Sequence, residues 1–477
     1  MPEFDNNIMN FTITDEPFAV GFMNCMSTCT AKCIGAGMRE VAKVRPISMV
    51  PGEMLIGRMG RVKMGIEYGY DGGLWVNLDL LKKRAEENPE KAIEYMKIAT
   101  FFQGKASGQH HGDACIGQEQ LFYSNRTYWA GTTGHCNVDY GSVVHLGTDG
   151  VREKIAKYRP LHPEASEWYD GVEMALEGLD IIADRYRVLA LENAQTAEGE
   201  DKVLFERIAT VLETVPRKPA FDFFSAMQSF HLLFSYDGAD SPGYFDYYMY
   251  PFYKDADKTE ARKLLCCLWD RLKARNSWHL AVGGCDENWN DRTNALSYEI
   301  LSVAKEKGYN KPNLSVRMHR NTSDEFWRAA VDCVASGIGL PAFYNDEVVC
   351  PALEAQGIPP EDSHLYTMNG CNQFDIQGKS HMGLEDGEIC LLKCLEYALT
   401  NGECLYLNKR VSIATGDATK FTSYEQLWEA FCRQVDYVTH MATITAFRCQ
   451  KYNAMYAPHP FRSAFDICHL RKTGFRT

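Results

Sequence analysis

Apolar positions recur at helical spacing over residues 80–103, 167–215, 221–235, 257–275 and 291–307. In the second of these segments Asp and Glu gather on one face and Leu, Ile, Val and Ala on the other, the pattern of a helix laid against a core. Short apolar runs at residues 278–282, 313–318 and 340–343, punctuated by Gly or Pro, predict buried strands. The first 100 residues read as mostly helical. The later chain alternates helix with short buried strand, which predicts an α/β barrel or wound sheet rather than an all-α bundle. No internal repeat, low-complexity run or Pro/Ser linker marks a domain boundary.

Composition narrows the function classes. With 477 residues, 45% of them hydrophobic and 24% charged, the chain can bury a large core. A formal net charge of −13 argues against nucleic acid or an anionic membrane as the main partner. The first residues have neither a basic nor an apolar signal region, and no apolar run approaches bilayer length, so a cytoplasmic location is expected. The seventeen cysteines have no disulfide rhythm and read mainly as small buried hydrophobes in a reducing compartment. Cys25, Cys29 and Cys33 stand at i, i+4 and i+8, predicting a packing face on one helix. Three successive turns of a straight helix are a poor geometry for ligating one cluster. His110 and His111, with His135, have no second ligand set at metal spacing, so no metal is expected.

A series of short motifs sharpens this reading. In order they are PGEMLIG (51–57), GHCNVDY (134–140), LGTDGVR (146–152), SPGYFDYYMYPFY (241–253), GGCD (283–286), TNALS (293–297), LSVR (314–317), GLPAFYNDE (339–347), Gly370-Cys371 and TGD (415–417). Together, in this order, they resemble the glycyl radical enzymes, the superfamily of pyruvate formate-lyase and of the glycerol and choline lyases. Tyr244 and Tyr247 replace the Arg and Gln usual in the SPG block.

The resemblance implies a glycyl-radical-enzyme-type α/β barrel: two antiparallel five-stranded half-barrels wrapped by helices. On this chain it implies a helical N-terminal region over roughly 1–220, a half-barrel with a cysteine loop over roughly 221–450, and the start of a second half-barrel over roughly 451–477. Cys371 is then the thiyl residue, and a lyase reaction on a small polar metabolite is expected. His135, Ser241 and Asp246 lie in blocks that line the substrate cavity in relatives. Glu385, fourteen residues after Cys371, stands where relatives often place a polar pocket residue, with His381 and Asp386 as weaker candidates. Gln373 occupies the position of the general-base Glu of the lyases and dehydratases. A neutral carboxamide cannot take a proton at pH 7, although it can hydrogen-bond a substrate. Glu385 is a candidate to replace the missing base. Asn372 follows Cys371, so the Cys-Cys pair of pyruvate formate-lyase is absent.

The Arg-Val-x-Gly-Tyr-like glycyl loop of relatives is not found in this sequence, and HPFRSAF (459–465) resembles a block in the second half-barrel. The expectation is an incomplete barrel that binds no cofactor directly. Its glycyl radical would come from a second, smaller chain, installed there by a radical SAM activating enzyme, in a homo-oligomeric assembly. A truncated copy, or a degenerate non-catalytic binding or assembly protein, is the alternative.

Overall fold

The computed structural model describes residues 10–12, 16–69, 73–106, 115–129, 135, 137–370, 373–380 and 387–465. The chain divides into two compact units. The first comprises Met1–Tyr70, His135–His381 and His459–Arg476; the second is chiefly Asp71–Gly134 and Met382–Pro458.

At the centre of the first unit is a four-stranded sheet of β1 (Gly243–Tyr244), β2 (His279–Gly283), β3 (Asn313–Met318) and β4 (Ala342–Asn345), in the order β4-β3-β2-β1. Every pairing in it is parallel. Intervening helices make the crossovers that parallel strands require. Lys258–Ala274, capped by Asp257, precedes β2, and Ala295–Lys307, capped by Asn294, precedes β3. All of β2 and five of the six residues of β3 are buried, as expected of strands covered on both faces. Of the two five-stranded halves expected, the described residues contain this single four-stranded sheet. A separate antiparallel hairpin follows, β5 (Tyr366–Asn369) with β6 (Gln373–Ile376).

Helices α1 (Pro17–Asn24), α2 (Thr30–Val44), α3 (Ser166–Thr196) and α4 (Phe223–Asp237) pack in the same unit. Glycine allows the close approach: a Cβ at Gly35 would lie 2.1 Å from the carbonyl oxygen of Gly171 in α3. The structure corrects one expectation here. Cys25, Cys29 and Cys33 do not share one helix, because Cys25 ends α1, Cys29 is the N-cap of α2, and Met26 between them adopts φ +50°. The chain folds back there, and the Cys33 thiol, pushed up to about 11 by burial and the neighbouring Cys25, sits beside the other two. Helices predominate in the N-terminal region, with five short strands between Ile47 and Val76.

The expected helix at 80–103 is split into Leu78–Glu87 and Ala92–Phe102. Pro89 supplies no N–H and keeps Asn88 out of the helical conformation. The 167–215 segment likewise breaks at Glu198, before Gly199. The second unit has its own core, including Phe122, Tyr128, Tyr397, Val438 and Cys449, along the 33-residue helix Tyr424–Tyr456. No helix among the described residues is long and apolar enough to cross a membrane.

Candidate active site

The hairpin β5–β6 builds the site. Its register pairs Asn369 with Gln373, and Gly370 turns away from the end of the first strand. Gly370 has φ +51°, a left-handed conformation that side chains with a Cβ adopt at a cost. A Cβ at Gly370 would meet Cδ2 of His135 at 2.1 Å and the carboxamide oxygen of Gln373 at 2.8 Å. Two side chains from distant parts of the sequence therefore close on the residue before Cys371. Cys371 itself lies outside the described residues, as do Asn372, His381, Glu385, Asp386, His110 and His111.

His135 is held by a partner that sequence reasoning missed. Its Nδ1 hydrogen-bonds one carboxylate oxygen of Asp240, and Ser241 donates its hydroxyl to the other at 3.0 Å. The imidazole also packs against Trp278, with ring centroids 5.4 Å apart, and the Trp278 amide donates to the Asp240 carbonyl at 2.7 Å. One carboxylate thus orients two of the expected site residues, and the side of the imidazole opposite Nδ1 meets the turn. Asp240 directly precedes the SPG block, which was the available signal.

Asp246 is spent differently. It is 1% exposed and accepts from the Gly283 amide at 2.9 Å and from the Ser297 hydroxyl. Burial, against those two hydrogen bonds, pushes its carboxyl up to about 7. This arrangement ties the end of β2 to the helix Ala295–Lys307 through Oδ2.

Two buried carboxylates fix the hairpin. Oδ2 of Asp375 accepts from the Asn137 amide at 2.9 Å, from Asn137 Nδ2 at 3.0 Å and from Asn369 Nδ2 at 3.1 Å, which secures the strands just below the turn. At the hairpin's start, Arg317 makes a two-pronged pair with Asp346 at 3.0 and 2.9 Å, both side chains fully buried. The same guanidinium donates to the carbonyls of His364 and Tyr366, and the Tyr366 hydroxyl donates to Asp346 at 2.7 Å. The Cys285 sulfur lies 3.3 Å from both Asp346 and His364 Nδ1. Burial and the Asp346 charge push this thiol far up and burial holds His364 down, so the pair stays neutral. Arg317, Asp346 and Cys285 all fall in the quoted motifs, although nothing local shows that they meet.

No group of three or more His, Cys, Asp or Glu side chains among the described residues is arranged to hold a metal ion.

The chain is 26% identical over 371 residues to the isethionate sulfite-lyase of Oleidesulfovibrio alaskensis, covering 69% of this chain and 45% of that protein. It is 29% identical over 334 residues to the trans-4-hydroxy-L-proline dehydratase of Clostridioides difficile, covering 63% and 42%. The chain therefore spans about half the length of the curated relatives it matches. Among solved structures, the glycerol-bound B12-independent glycerol dehydratase of Clostridium butyricum superposes with a TM-score of 0.84 at 23% identity, over 97% of this chain and 64% of that one, a likeness of fold. The family model described as pyruvate formate lyase-like matches residues 30–473, and the chain belongs to that family.

Proposed function

We propose that this chain is the thiyl-bearing catalytic component of a glycyl radical lyase acting on a small polar metabolite. The observation that carries the reading is the convergence of His135 and Gln373 on Gly370, beside Cys371, at the end of a hairpin secured by buried carboxylates. The named reactions of the relatives, a sulfite-lyase and a hydroxyproline dehydratase, support cleavage of a C–C or C–heteroatom bond. A glycyl radical on a separate chain, installed by a radical SAM activating enzyme, supplies the oxidising equivalent that makes Cys371 a thiyl.

Cys371 then takes one hydrogen atom from a substrate carbon, forming S–H and leaving a carbon radical, and returns that hydrogen after the bond has broken. A thiyl has to be dry and close to one chosen hydrogen, which a short, anchored turn provides. Gln373 binds a polar group of the substrate without taking a proton. The proton transfer falls to His135, which Asp240 orients. Ser241, joined to the same carboxylate, completes the polar wall, and Glu385 is a second carboxylate for the pocket. The cytoplasm suits this oxygen-sensitive chemistry, and a homo-oligomeric assembly accompanies it.

The test is anaerobic co-expression with the activating enzyme, followed by capture of the chain together with the smaller glycyl-bearing protein. An EPR doublet from a glycyl radical and substrate turnover are expected. Cys371→Ala should abolish turnover while retaining substrate binding. Turnover by that variant refutes the role of Cys371. A radical-competent assembly that binds substrate without converting it would instead favour a binding or assembly protein.

A further inference from the structure

The first unit contains a cavity of about 270 Å³ to which none of the candidate active-site residues contributes. Its walls come from α1, α2, the strand Arg61–Lys63, the end of α4 and residues 459–462. Phe18, Met38, Val41, Val62 and Phe461 make much of it apolar. The volume is near the lower end of small-molecule pockets, which run from roughly 300 to 1,000 Å³.

One side chain in this wall lacks the partner that its charge calls for. Arg45, just beyond α2, donates Nε to the Gly60 carbonyl at 3.3 Å and makes no ion pair among the described residues. Burial depresses its guanidinium, opposed only by the Tyr236 and Tyr186 hydroxyls. Both acids lining the cavity are engaged elsewhere. Asp237 takes Arg462 at 2.9 and 3.2 Å, and Glu67 accepts the Met64 amide at 2.8 Å. Tyr236, also in the wall, has a buried hydroxyl with no hydrogen-bond partner. Arg45 is partly buried at the edge of this cavity, and an arginine fork matches a carboxylate in shape and charge. The flanking Glu67 and Asp237 disfavour a doubly charged group such as a phosphate monoester.

We propose that this cavity is a second ligand site that binds a small monocarboxylate with an apolar body, the carboxylate on Arg45 and the body against Phe18, Met38 and Val41. The proposal is independent of the radical chemistry above and stands or falls without it.

Isothermal titration of the full chain with octanoate, 1-octanol and octylammonium tests it. Octanoate should bind saturably with one site, 1-octanol about tenfold more weakly, a difference of about 1.4 kcal/mol, and octylammonium not at all. Arg45→Met should bring octanoate down to the level of 1-octanol and leave 1-octanol unchanged, and Val41→Trp should abolish both by filling the cavity. Octanoate binding no better than 1-octanol, octylammonium binding as well as octanoate, or no saturable binding by the folded wild-type chain would each overturn the proposal. If Arg45→Met does not fold, the wild-type ranking together with Val41→Trp decides.

Discussion

The start of the hairpin and its turn are a few residues apart and are built on opposite terms. At the start, Arg317 and Asp346 are both fully buried, and their donors and acceptors are spent on each other, on Tyr366 and on backbone carbonyls. Around the turn, His135, Asp240 and Gln373 are only partly buried, and their polar groups are of the kind that exchange protons or hydrogen bonds. The difference teaches how such a site is kept rigid without being inert: permanent charges hold the strand, and the adaptable groups stand on what it holds.

The largest effect expected from breaking this division is Arg317→Met. It leaves Asp346 charged and buried with no cation beside it, a loss of about 3–5 kcal/mol. Urea denaturation checks it, and a loss below about 1 kcal/mol would mean that the pair does not hold the hairpin. Asp240→Asn acts at the other end. It should lower turnover by about 10² while the unfolding midpoint stays in place, because the carboxylate that supports His135 is replaced by a carboxamide of the same shape in a partly buried position. An equal fall in stability would make Asp240 part of the frame instead. Gly370→Ala should cost about 1–2 kcal/mol of backbone strain and reduce turnover further by displacing His135 and Gln373. Unchanged activity would separate the turn from the chemistry.

The last effect is one of slope. Burial keeps Asp246 protonated in the folded chain up to about pH 7, whereas the unfolded carboxyl releases its proton near 3.8. Folding therefore takes up a proton between these values, and wild-type stability should fall as pH rises through that window and then level off. Asp246→Asn should flatten this stretch of a melting-temperature profile. An unaltered profile would show that the carboxyl ionises without cost.

Periodicity gave the elements of the sheet unit well because each is amphipathic or wholly buried by itself. The strands at 313–318 and 278–282 appear within a residue of the reading, and Asp257 and Asn294 cap the helices that precede them. The break between Cys25 and Cys33 was illegible, since apolar and small residues continue through Met26, and only its left-handed backbone turns the chain. The site was half legible. His135, Ser241 and Gln373 stood in motifs and come together through Asp240 and Gly370. Asp240 and the pairing of Arg317 with Asp346 were not apparent, because each depends on a partner distant in sequence that no local pattern encodes. Asp246, expected in the pocket from its motif, also joins a strand to a helix, which no local pattern encodes.

The buried ion pair of Asp237 with Arg462 spans 225 positions, and Tyr68 meets His459 across 391. During synthesis, the unit that carries the hairpin cannot close until residues 459–465 have left the ribosome, after the whole 382–458 excursion has been made. Contacts of such separation slow folding and lengthen the time for which apolar surface stays open. The unit that carries the candidate site is therefore the last to close on itself.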